Sequence, residues 1–148
     1  MMSDRFNLER FVTAQDPVFE TVLRELKAGR KQTHWMWFIF PQLRDLGRSS
    51  TAKFFGIASL DEARAFLGHP VLGPRLIRCT RTVLETEGRS LAQIFGFPDD
   101  LKFRSSMTLF EAAGSSEEHW VFADALERFC AGERDQLTLR LIAPKHAG

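Results

Sequence analysis

At 148 residues the chain suits one domain, long enough to bury about 70% of the surface its extended form would expose. With 44% hydrophobic and 26% charged residues it has an ordinary globular composition, and a net charge of +1 gives it no large electrostatic footprint for nucleic acid. The longest apolar run, Trp35 to Pro41, is too short to span a bilayer, and the N-terminal residues lack the apolar stretch of a signal peptide, so a soluble, cytoplasmic protein with no membrane partner is expected.

Helical punctuation recurs along the chain. Leu8, Phe11 and Val12 share a first helical face, which Asp16-Pro17 ends while opening a second helix. Val18, Val22, Leu23 and Leu26 continue at helical spacing to Gly29, a left-handed cap. The nonapeptide His34-Trp-Met-Trp-Phe-Ile-Phe-Pro-Gln42 reads as a central helix opening at Thr33 and bent or ended at Pro41, because a lone buried strand would leave backbone groups unpaired. Gly47-Arg48-Ser49-Ser50-Thr51 joins a glycine C-cap to a hydroxyl N-cap.

Ser59-Leu-Asp-Glu62 is a capping-box pattern before Ala63, Phe66 and Leu67. His69-Pro70 and Gly73-Pro74 lead into a longer helix through Leu76, Ile77, Val83 and Leu84. Ser90 caps a short helix that stops at Gly96, and Asp99 or Asp100 starts the next, through Leu101, Met107, Leu109 and Phe110. Ser115-Ser-Glu-Glu118 is a second capping-box pattern, ahead of Trp120, Phe122, Ala125, Leu126 and Phe129. Gly132 ends that helix, and Leu137 to Ile142 form the last. Period-two alternation is missing. The expected fold is therefore all-α: a compact single-domain bundle of roughly seven to nine short helices around a central aromatic helix. The domain would cover residues 6–142, with tails at 1–5 and 143–148.

Three clusters bear on function. At the nonapeptide, Arg30 and Lys31 precede a predicted helix N-terminus whose free N–H groups favour anions. Trp35 and Trp37 could stack a ring there, and His34, with an ordinary pKa near neutrality, is the one candidate acid or base. Against this, the tryptophans serve equally as core anchors. The second cluster, Gly47 to Thr51, lacks a Walker pattern and is explained by capping alone. In the third, Lys102 lies one helical turn from Ser105 and Ser106, which forms either a polar pocket with Arg104 or a close helix contact. The four histidines have no metal-ligand spacing, Cys79 and Cys130 have none either, and nothing in the sequence asks for a cofactor.

The nonapeptide, Leu67-Gly-His-Pro-Val-Leu-Gly-Pro-Arg-Leu76 and Lys102-Phe-Arg-Ser-Ser-Met-Thr-Leu-Phe110 together resemble the bacterial domain-of-unknown-function family numbered 1810, sometimes labelled calpastatin-like. The resemblance runs from about Phe6 to Leu141 and implies a compact, mainly helical domain; it carries no catalytic residue over. Whether the protein is an enzyme stays open at this level. One reading is binding of a small anionic aromatic metabolite, such as a nucleotide or an NAD or ADP-ribose derivative. Arg30, Lys31 and Arg104 would meet the anion, Trp35 or Trp37 the ring, and His34, Gln42, Ser105 and Ser106 would orient it. The alternative is a protein-interaction module, monomer or weak homodimer, that presents Phe54, Phe55, Phe95, Phe97 and Phe103 as one apolar surface.

Overall fold

Caps and breakers set most helix ends in the computed structural model, which describes residues 4–144. Among these residues lie ten α-helices: α1 Glu9–Gln15, α2 Phe19–Lys27, α3 Met36–Ile39, α4 Ser50–Phe54, α5 Leu60–Gly68, α6 Leu72–Leu84, α7 Leu91–Phe95, α8 Asp99–Ala113, α9 Trp120–Cys130 and α10 Gln136–Ile142. Two 3-10 turns, Arg44–Leu46 and Glu117–His119, complete the set, and no strand is present among the described residues. The all-α expectation is met. The count exceeds the expected range by one, and the short α4 starts where the hydroxyl run implied an N-cap, Ser49 accepting the Ala52 N–H at 3.0 Å.

Several caps match their sequence signals. Ser90 and Gln93 bond reciprocally across the start of α7, at 2.8 and 3.2 Å. Ser59 caps α5, but the Glu62 side chain turns to the Ala58 N–H and to Arg10 instead of closing a box. In the second supposed box the acceptor is His119, not Glu118: its Nδ1 receives the N–H groups of Ser115 and Ser116 at 2.8 and 3.3 Å. Asp4, assigned to the N-terminal tail by the sequence, caps α1 by accepting from Leu8 and Glu9 N–H at 2.6 and 2.9 Å. Those two bonds hold its carboxyl below the usual range. Of the expected tails, residues 1–3 and 145–148 lie outside the described residues.

The helix at the centre is α8, not the aromatic segment. It packs against α5, α7, α9 and α10, and Ser105 to Phe110 are buried without a break. A four-residue α3 is too short to hold a bundle together, although it seals one side of the core with Met36 and Ile39. Eight of the 14 phenylalanines have a shared use. One ladder of ring contacts runs Phe55, Phe11, Phe66, Phe110, Phe122, with centroids 5.1–5.9 Å apart. A second joins Trp35, Phe40, Phe95 and Phe103 at 5.0–6.4 Å. Each buried ring is worth about 1.5–3 kcal/mol in transfer free energy, and edge-to-face geometry adds up to about 1 kcal/mol more.

Close backbone approach is needed where α5 meets α6. A Cβ on Gly73 would stand 2.1 Å from the Leu67 carbonyl oxygen, so only glycine fits. A second join depends on Arg10, which donates to the carbonyls of Phe6, Asn7, Phe54 and Gly56 and to Glu62 Oε2, all at 2.7–3.0 Å. Both members of the Arg10–Glu62 pair are almost wholly buried, so removing one leaves the other charged and unpaired. Arg10→Met is expected to destabilise the protein by about 3–5 kcal/mol in urea denaturation. Arg24→Met, on the exposed face of α2, should stay within about 0.5 kcal/mol of the parent.

Candidate functional site

The aromatic nonapeptide is shaped by a carboxylate ten residues before its first tryptophan. Glu25, buried on α2, accepts from Gln32 N–H (2.6 Å), Thr33 N–H (3.0 Å), the Thr33 hydroxyl (2.7 Å) and the Trp35 indole Nε1–H (3.0 Å). Burial pushes the Glu25 carboxyl up, but these four donors together outweigh it and hold the pKa below the ordinary value of 4.5. The clamp keeps residues 32–35 in a loop, so the helix opens at Met36 and not at Thr33. At the other end Phe40 leaves helical geometry, as residues before proline do, and Pro41 follows. The chain then runs extended, with Gln42 O accepting from Ile57 N–H and Arg44 N–H donating to Ile57 O.

This loop separates the two tryptophans. Trp35 is sealed in the core at 1% exposure, its ring under the Lys31 ammonium at 5.2 Å. Trp37 is half-buried and faces outward, with Lys102 Nζ 5.9 Å from its ring. Asp99, the first residue of α8, binds both cations: Lys31 at 3.0 Å and Lys102 at 3.5 Å. The first and third sequence clusters do meet, through Trp37–Lys102 and through the Phe40–Phe103 ring contact at 5.1 Å. Between them lies a slot lined by Met36, Trp37, Phe40, Gln42, Phe55 and Lys102, with Ala52 of α4 also on its wall. The space left, ≈ 10 Å³, is about that of one water molecule.

The other expected site residues stand elsewhere. His34 is exposed in the loop and does not line the slot, because the Glu25 clamp keeps it outside the helix. Arg30 is exposed, and its backbone N–H closes α2 on Glu25 O. Lys31 is spent on Asp99. Arg104 lies on the side of α8 away from Lys102, lines a groove beside α10 and approaches Glu133 at 3.8 Å. The Ser105 hydroxyl donates to Leu101 O at 3.2 Å, and the fully buried Ser106 hydroxyl has no hydrogen-bond partner. Neither serine meets Lys102. Burial pushes the Cys79 thiol up to about 12, and raises Cys130 as well, so neither is primed as a nucleophile. No cluster of three or more metal-ligating side chains exists among the described residues.

Asp99 was not singled out by the sequence except as a helix start, and Lys102 was read toward Ser105 and Ser106 instead of toward Trp37. The signal was available: Asp99 and Lys102 are one helical turn apart, and a helix running through Phe103 must present Lys102 beside it.

These features define a compact all-α protein with a half-exposed tryptophan slot beside its central helix. Residues 5–142 match the family described as "Protein of unknown function (DUF1810)", and the chain belongs to that family. The crystal structure of the conserved hypothetical protein Rv1873 from Mycobacterium tuberculosis is similar at a TM-score of 0.92 and 51% sequence identity, covering 96% of this chain and 100% of that one. A search of curated proteins finds no match.

The orphaned Ser106 hydroxyl gives a direct test of whether α8 holds a polar site there. Ser106→Ala should leave stability unchanged or raise it by about 1 kcal/mol, since a buried group without a partner costs free energy. Chemical denaturation measures this, and a loss of more than about 1 kcal/mol would show that the hydroxyl has a partner in solution.

Proposed function

We propose that the protein binds a small planar ligand bearing one negative charge, its ring laid on Trp37 and its anionic group against Lys102. The observation that supports this most is the slot itself, where an aromatic face, a cation and the Gln42 side chain border one opening. Tryptophan and a few polar groups around an apolar cleft are the usual makings of a ligand site. As it stands the slot admits a water only, so a ring seats by displacing α4 outward. That helix is short and is tied at its ends, by the Ser49 cap and by Arg10 at Phe54 O and Gly56 O.

The geometry favours a single anionic group over a polyphosphate. Of the three cations expected to meet phosphates, Lys31 is buried against Asp99 at 3.0 Å, Arg104 lies across α8, and Arg30 points to solvent; Lys102, 3.5 Å from the same carboxylate, keeps 29% of its side chain exposed. Nucleotides, NAD and ADP-ribose therefore belong in the test as comparisons, and no residue is assigned to catalysis.

The phenylalanine-surface alternative loses most of its surface. Phe95 and Phe103 are buried and Phe55 is half-buried, so only Phe54 and Phe97 of the five are exposed.

Tryptophan fluorescence and thermal shift against indole-3-acetate, benzoate, AMP, NAD and ADP-ribose test the proposal. A saturable response to an aromatic monoanion is expected, abolished in Trp37→Ala and at least about tenfold weaker in Lys102→Gln. Both side chains are partly exposed, so the variants should fold. No saturable response to any of these probes, or one that survives Trp37→Ala, would overturn it.

A further inference from the structure

The third tryptophan lies apart from the slot. Trp120 opens α9 with 67% of its surface exposed, beside a groove of ≈ 480 Å³ formed by the end of α8, the turn after it and the start of α9. Leaving an indole in water forgoes a burial worth about 1.5–3 kcal/mol, and tryptophan is the side chain most enriched where partners dock.

Two acidic side chains stand near that ring. Glu117 lines the groove, and Asp124 lies one helical turn beyond Trp120; neither forms an ion pair among the described residues. The groove receives the C-terminal end of the 15-residue α8 and the N-terminal end of α9, whose dipoles oppose one another there, so its charge preference comes from the acidic side chains. Glu111 is already held by Arg134, at 2.6 and 2.9 Å, and Arg134 is spent on it and on Glu127. The His119 Nδ1 is already occupied, accepting the backbone N–H groups of Ser115 and Ser116. No lysine or arginine lines the groove.

We propose that this groove docks a basic segment of a partner protein, one arginine of which stacks on Trp120 and pairs with Glu117. Arginine suits the place better than lysine. Its planar guanidinium lies flat on an indole while its edge still bonds a carboxylate in two places. The open, solvent-facing shape fits a side chain carried on a peptide and gives a free ion little enclosure. This surface is independent of the Trp37 slot, and either can stand without the other.

The test uses the whole chain and its three indole N–H signals in proton–nitrogen spectra, with Trp120 identified from Trp120→Phe. The probe is the capped peptide Gly-Arg-Gly-Arg-Gly, and the control is the same peptide with citrulline, which keeps the shape and removes the charge. A saturable shift of the Trp120 signal is expected with the arginine peptide. It should be at least about tenfold weaker with the citrulline peptide, in Glu117→Gln, and at high salt. No movement of the Trp120 signal, an equal response to citrulline, or full binding by Glu117→Gln would overturn the proposal. Arginine amide binding as tightly as the peptide would make this a small-cation pocket, and a concentration-dependent shift without peptide would make it a self-contact. Either result also overturns it.

Discussion

One buried carboxylate decides how the aromatic segment sits. Glu25 carries a charge into the interior, which costs several kcal/mol unless the charge is fully solvated by donors. Four donors from the next ten residues supply that, and one of them is the indole of Trp35. The clamp therefore fixes a loop and the largest core side chain together. With Trp35 turned inward and Lys31 laid over its ring, Asp99 and the start of α8 are drawn to the same place. The Phe40–Phe95–Phe103 stack builds outward from there.

The geometry of the proposed slot is a consequence of that placement. Since the helix begins at Met36, Trp37 falls on the outer face and meets Lys102, while His34 is left in the loop. A helix from Thr33 would have grouped His34 with Trp37 and Phe38 on one face and made His34 part of the site. The difference between a histidine site and a lysine site thus comes from one glutamate on the preceding helix.

Helix positions were legible where local chemistry alone sets them. Gly29, Ser90 and Gly96 act within a turn of themselves, and each does in the structure what its residue type implies. The buried acids were not legible in that way. Glu25 interrupts the Val22–Leu26 stripe and Glu62 sits in a capping pattern, so both read as solvent-facing until their long-range donors are known. Convergence of the 34–42 and 102–108 segments depended on packing, which no spacing rule contains. Trp120 shows the reverse failure: helical periodicity marks it as core, while the turn at Glu117–His119 rolls it out to solvent.

The most direct measurement is the stability of the parent and of Glu25→Gln by urea denaturation across pH. The folded-state pKa of Glu25 is depressed, so its contribution is fully present above the unfolded value near 4.5 and is lost as pH falls through the lower folded value. Near neutral pH the variant should be less stable by about 2–4 kcal/mol. The gap should narrow steadily as the solution is acidified below about the ordinary carboxylate pKa, where the parent also protonates. A gap that keeps its size at acid pH, or a variant as stable as the parent at neutrality, would contradict the claim that this carboxylate organises the aromatic segment.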